Sequence, residues 1–141
     1  MSGIRGKDTR PELLLRSALH RRGIRFRLHD RRLPGKPDLI FPKHRAVLFV
    51  HGCFWHLHGC HLFRWPQSRE EFWRAKLARN RENDERHQAA LAAAGWRIGI
   101  VWECALKGRF RRDPDEVTGE CARWIRSAED RLEITGYNQM Q

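Results

Sequence analysis

Eight residues, Cys53-Phe-Trp-His-Leu-His-Gly-Cys60, constrain this chain more than any other stretch. Thiolate and imidazole are the preferred ligands of zinc, and a structural zinc site takes four of them in a tetrahedron. Cys53, His58 and Cys60 lie close enough for one loop to wrap an ion, so the fourth ligand must come from another element. Cys104, just past a later strand, is a candidate. Cys121 shares a helical stripe with Val117, Trp124 and Ile125 and reads as a packed thiol. His56 and His61 compete with His58, and spacing does not choose among them. The plainer alternative is reduced cysteines and surface histidines without metal. In a chain of intracellular type, a cluster this dense points to a metal site first.

The segments around that loop change period along the chain. Thr9-Arg-Pro-Glu12 reads as a capping box with Pro11 in the first turn, opening a helix that runs to Arg22 and stops at Gly23. Ile24, Phe26 and Leu28 alternate with Arg25, Arg27 and His29, the pattern of a half-buried strand. A turn at Leu33-Pro-Gly-Lys-Pro37 leads to a strand over 38–41. A nearly continuous apolar strand over 46–51 follows and is broken by Gly52. Ser68-Arg-Glu-Glu71 is a second capping box, whose long charged helix ends before Gly95. A fourth strand is expected over 96–102, buried on its Ile98, Ile100 and Trp102 face, then a helix over 114–127 and a loose tail. This order predicts an α/β domain, a mixed central sheet flanked by helices. The 141 residues make one domain, 1–141, with the weakest pattern over 110–141. A chain of this size can bury roughly 68% of its unfolded surface.

Charge narrows the partner. Lys and Arg number 28 against 17 Asp and Glu, a net +11. Residues 1–36 carry eleven basic residues against Asp8, Glu12 and Asp30, a local net of +8 that is almost all arginine. The guanidinium fork matches phosphate, so nucleic acid is favoured over a merely solubilising surface. The longest aliphatic run, 46–50, is far short of the ~20 residues of a membrane span. The N-terminus lacks an apolar signal core. Six Trp and seven Phe argue against disorder. The expectation is a compact cytoplasmic domain with no membrane partner.

Two further patterns carry chemistry. Pro37-Asp38 heads a strand, and a carboxylate there can reach a divalent cation beside the backbone of the next strand. Mg²⁺ is usually held by one or two carboxylates, water and substrate phosphates, an arrangement suited to phosphodiester hydrolysis. Pro-Asp also occurs at turns for local reasons. On the long helix, Trp73, Lys76, Asn80 and Asp84 fall along one face. An aromatic, a cation, an amide and an acid make a poor core stripe but a plausible groove reader. The alternative is a solvated face with one buried Trp.

Taken together, Leu33-Pro-Gly-Lys-Pro-Asp38, Phe49-Val-His-Gly-Cys-Phe-Trp-His56, Phe72-Trp73 with Lys76 and Asn80, and Gly95-Trp-Arg with Val101-Trp-Glu-Cys104 resemble the very short patch repair (Vsr) DNA mismatch endonucleases. The resemblance covers roughly residues 3–110. It implies a restriction-endonuclease-like fold of the PD-(D/E)XK superfamily with a structural zinc. It also implies strand nicking beside a T opposite G, the product of 5-methylcytosine deamination. Asp38 would then be the central Mg²⁺ ligand with the Val50 carbonyl, His51 and His56 the catalytic histidines, and Glu12 and Asp84 supporting acids. Cys53, His58, Cys60 and Cys104 would hold zinc. Phe54, Trp55 and Trp73 would form a wedge beside the mismatch, and Lys76 and Asn80 would contact its bases.

The superfamily places an acid and a lysine on its third strand, where this chain has Phe49 and His51. Some relatives carry a hydroxyl residue where this chain has Val50, so only a backbone role transfers. The DNA-reaching N-terminal arm of longer relatives would be short, with Met1 to Lys7 partly replacing it. Glu12 has the capping box as a second explanation. The implied partner is double-stranded DNA with a T:G mismatch, bound by a monomer. One alternative is a relative that nicks a different mismatch or sequence. A zinc-stabilised DNA-binding module is disfavoured, because a pure binder has no need of Asp38, His51 and His56 together.

Overall fold

The computed structural model describes residues 9–56, 58–60 and 62–137. Met1 to Lys7 and His61 lie outside the described residues. Among those described, three helices pack on a five-stranded sheet. The helices are α1 (Arg10–Arg21), α2 (Glu70–Ala93) and α3 (Pro114–Ile125). The strands are β1 (Arg27–Leu28), β2 (Leu39–Phe41), β3 (Ala46–His51), β4 (Arg97–Trp102) and β5 (Arg131–Ile134). They lie in the order β1-β2-β3-β4-β5, antiparallel from β1 to β3 and parallel from β3 to β5. Each parallel step is bridged by a helix, α2 between β3 and β4 and α3 between β4 and β5. The mixed α/β class expected from the sequence is observed, and no described helix is long and apolar enough to cross a membrane.

The sheet buries both faces. Leu39, Phe41, Leu48 and Val101 meet Leu15, Leu19, Val117 and Trp124 beneath α1 and α3. Ile40, Val47, Phe49, Ile98, Ile100 and Trp102 meet Leu91 of α2 on the other side. This explains why β3 and β4 read as continuous apolar runs. It also explains Gly99: an added Cβ would stand 2.7 Å from Leu48 Cδ1 and 2.9 Å from Trp124 Cζ3, so the indole takes that space.

Four details differ from the sequence expectations. The first strand is two residues long, because only Arg27 and Leu28 pair with β2, although Ile24 and Phe26 still pack inward. The helix expected over 114–127 ends at Ile125. Ser68 does not cap α2; its N-cap is Arg69, left-handed at φ 56°, without a side-chain cap bond. Within the segment expected to be a loose tail, Arg131–Ile134 form β5, with Leu132 and Ile134 packed on the α3 face and Arg131 and Glu133 exposed.

Candidate active site and metal centre

A cleft of about 640 Å³ opens at the end of β3 between α1, α2 and the Cys53–Cys60 loop. Glu12, Asp38, Val50, His51, His56 and Asp84 all line it. Local structure places each of them. Pro11 and the Thr9 cap start α1, and Thr9 Oγ1 accepts the Glu12 amide at 3.4 Å. The Glu12 carboxylate is turned into the protein, 1% exposed, where Arg16 Nη1 donates to Oε2 at 3.2 Å. The Leu33–Pro37 turn delivers Asp38 to the head of β2. Gly35 takes a positive φ of 76°, and an added Cβ would lie 3.0 Å from His87 Cβ and 3.3 Å from Phe49 Cζ. Only glycine lets the turn sit this close to α2.

Asp38 is 8% exposed, and its Oδ2 accepts the Val50 amide at 2.6 Å. Burial pushes its carboxyl up to about 7, against the pull of the Val50 N–H, and the neighbouring Glu12 charge pushes the same way. Two buried carboxylates facing one gap disfavour two negative charges and favour a cation between them.

His51 ends β3, and His56 comes from the following turn. Their rings stack 3.8 Å apart at 4°. Asp84 of α2 accepts a hydrogen bond from His56 Nδ1 at 2.5 Å, which leaves Nε2 as the ring nitrogen not engaged by that carboxylate. Burial, then the charges of His56 and His58, hold His51 well below the ordinary imidazole range. Its Nδ1 is buried without a hydrogen-bond partner.

The second cluster closes the loop. The ligand atoms of Cys53, His58, Cys60 and Cys104 all lie within 4.8 Å of one another. His58 Nδ1 is 3.4 Å from Cys53 Sγ and 3.6 Å from Cys104 Sγ. Tetrahedral zinc with bonds of about 2.0–2.3 Å separates its ligand atoms by about 3.3–3.8 Å, so the donor set fits that ion. Amides of Leu62 and Gly136 donate to the sulfurs of Cys60 and Cys104, each at 3.4 Å, as suits thiolates. The hydrogen bond between Cys53 and Cys104 pushes the Cys53 thiol up and the Cys104 thiol down. Cys121 lies instead in the α1/α3 core, its thiol pushed up to about 12 by burial.

Between the loop's ends, Phe54, Trp55 and Trp73 form one aromatic cluster, with centroids 5.1 to 5.7 Å apart. Asn80 Nδ2 donates to the Trp55 carbonyl at 3.2 Å, and half-buried Lys76 sits one turn earlier on α2. The helix face read as a groove reader is therefore the face that supports the loop.

Two site residues were not singled out from the sequence. Glu103 Oε1 accepts the Cys53 amide at 3.1 Å, tying the loop to the end of β4. His29 Nε2 donates to Glu12 Oε2 at 2.6 Å and lies 3.9 Å from Asp38 Oδ1. In the sequence His29 is only one polar member of an alternating strand.

The chain is similar to known proteins along most of its length. A family profile described as "DNA mismatch endonuclease Vsr" matches residues 1–62. "Type II nicking enzyme V.XorIIP" of Xanthomonas oryzae pv. oryzae is 56% identical over 106 residues, 75% of this chain and 78% of its own. "DNA mismatch endonuclease Vsr" of Escherichia coli is 45% identical over 125 residues, 89% of this chain and 80% of its own. "Type II nicking enzyme V.NmeAIP" of Neisseria meningitidis is 40% identical over 109 residues, 77% of this chain and 78% of its own.

Proposed function

The chain belongs to the Vsr family of DNA mismatch endonucleases, and from that premise we propose that it nicks one strand of duplex DNA beside a T opposite G by Mg²⁺-dependent hydrolysis. One observation supports this above the rest. A buried carboxylate pair and a histidine oriented by a third acid share a cleft with an aromatic cluster. The mixed sheet would be the restriction-endonuclease-like core, and residues 1–141 would act as one domain.

Asp38, the Val50 backbone and Glu12 would hold the cation. Mg²⁺ there would supply positive charge to the scissile phosphate and its attacking and leaving oxygens. Asp84 fixes the His56 tautomer, so Nε2 would take the proton of the attacking water. His51, kept neutral, would hold the His56 ring in place by stacking. Cys53, His58, Cys60 and Cys104 would hold a structural zinc, fixing both ends of the segment that carries Phe54, Trp55 and His56. Those aromatics and Trp73 would wedge beside the mismatch, where a poorly stacked pair opens at least cost. Lys76 and Asn80 would contact its bases, Asn80 also bracing Trp55. The partner would be mismatched double-stranded DNA, bound by a monomer in the cytoplasm.

The names of two similar proteins, type II nicking enzymes, support a second reading in which mismatch or flanking sequence differs. Both readings are tested by single-turnover nicking, in Mg²⁺, of labelled duplexes carrying T:G, other mismatches or full pairing in varied flanks. Cleavage of T:G is expected, with collapse in Asp38→Ala and a loss of roughly 10²–10⁴-fold in His56→Ala. Preference for another mismatch would favour the second reading. Near wild-type nicking by a folded Asp38→Ala would overturn the site.

A further inference from the structure

His29 occupies a position with consequences for the cation. Leu28 pairs with Leu39 across β1 and β2, and the His29 amide donates to the Asp38 carbonyl at 3.2 Å. His29 and Asp38 are therefore cross-strand neighbours whose side chains share one face. Glu12 approaches that face from α1, and the ligand atoms of Glu12, His29 and Asp38 all lie within 4.8 Å of one another. The backbone at His29 is left-handed, φ 49°, a conformation uncommon for a residue with a side chain. The next turn is pinned, since Asp30 accepts from the Arg32 amide at 2.9 Å and from Arg32 Nε at 3.1 Å. The ring is thus held over the carboxylates by backbone on both sides.

We propose that His29 is a third protein ligand of the active-site cation, completing with Asp38 and Glu12 a nitrogen–oxygen–oxygen set that favours Mn²⁺ over Mg²⁺. The proposal rests on the reading that Asp38 holds that cation. Around an ion with bonds of about 2.0–2.2 Å, adjacent ligand atoms lie about 3 Å apart and opposite ones about 4 Å. The observed separations from His29 Nε2 are 2.6 Å to Glu12 and 3.9 Å to Asp38, so small side-chain shifts admit an ion. Mg²⁺ is a hard ion served by oxygen, whereas an imidazole nitrogen adds more to the affinity of transition-series divalent ions, of which Mn²⁺ is the weakest binder and the one closest to Mg²⁺ in ligand preference. For Nε2 to bind the ion, the proton it now donates to Glu12 would move to Nδ1, the tautomer that leaves the Nε2 lone pair free.

The zinc-loaded full-length protein is titrated with Mn²⁺, alone and against Mg²⁺, and bound Mn²⁺ is examined by electron spin-echo modulation for directly coordinated nitrogen. Wild type, His29→Gln and Asp38→Asn are compared, with folding checked by circular dichroism. Glutamine retains a donor to Glu12, so it separates ligation from simple support of that acid. One Mn²⁺ per chain is expected in wild type. His29→Gln should weaken it at least tenfold, leave Mg²⁺ affinity nearly unchanged and remove the nitrogen modulation. Equal weakening of both ions with the modulation retained would overturn the proposal, as would a wild type that binds no Mn²⁺ without DNA. If Asp38→Asn abolishes Mn²⁺ binding while His29→Gln changes nothing, His29 alone is misassigned. If Asp38→Asn binds Mn²⁺ as wild type does, the Asp38 reading itself fails.

Discussion

Asp38 carries a cost of burial that the Val50 N–H offsets only in part and that a bound cation would relieve. Its ordinary carboxyl value is 3.8, and burial lifts it to about 7 in the folded protein. Between those values the folded state binds more protons than the unfolded one, so stability falls as pH rises through the window and levels off above about 7. Asp38→Asn removes the charge while its amide oxygen still accepts the Val50 N–H. Without added divalent cation, the melting temperature of Asp38→Asn should therefore draw increasingly above that of wild type from pH 5 to pH 8. Added Mg²⁺ should then raise wild type alone. Thermal unfolding across that range checks both, and a gap that stays constant with pH would remove the buried charge as its cause. His51 has the opposite character. Burial keeps it uncharged, so it can stack on His56 without repelling the proton that His56 would receive.

The Cys53–Cys60 loop joins two elements, because three of its candidate ligands are local and Cys104 comes from the turn after β4. A metal that binds only the folded form contributes its binding energy to folding. Cys104→Ala should lower zinc from one ion per chain to near none and lower the melting temperature. Cys121→Ala should keep its zinc and lose only packing beneath α3. Metal analysis beside thermal unfolding distinguishes the two, and equal zinc loss in both would refute the ligand set. How far such elements were legible depends on range. The β3 run and the spacing of Cys53, His58 and Cys60 are local, and they are plain in the sequence. The choice of His58 over His56 or His61, and of Cys104 over Cys121, rests on family resemblance, since spacing leaves them open and only folding brings residue 104 to the loop. β5 was missed although Leu132 and Ile134 alternate with Arg131 and Glu133. Four residues make a faint signal, and their partner is a parallel strand thirty-odd positions away. His29 was hidden for the same reason: its alternation is visible, but Glu12 meets it only through α1 packing.

At the scale of the whole molecule, a net charge of +11 and the Phe54, Trp55 and Trp73 cluster would divide affinity from selectivity. Phosphate contacts release counterions and are blind to base identity, whereas stacking beside an opened step depends on what is opened. Arg31 is exposed two residues beyond His29, on the arginine-rich segment next to the cleft. Arg31→Ala should weaken T:G and paired duplexes by the same factor and reduce the slope of log affinity against log salt by about 0.9 in both. Trp55 belongs to the cluster fixed by Asn80 and by the loop's two ends. Trp55→Ala should leave that slope unchanged and narrow the gap between T:G and paired DNA by roughly tenfold, the scale of one base–aromatic stack. Binding isotherms at several salt concentrations, with both variants on both duplexes, measure the two effects together. If Trp55→Ala weakened both duplexes by one factor, the aromatic cluster would contribute only affinity, and mismatch preference would have to arise from Lys76, Asn80 or the DNA itself.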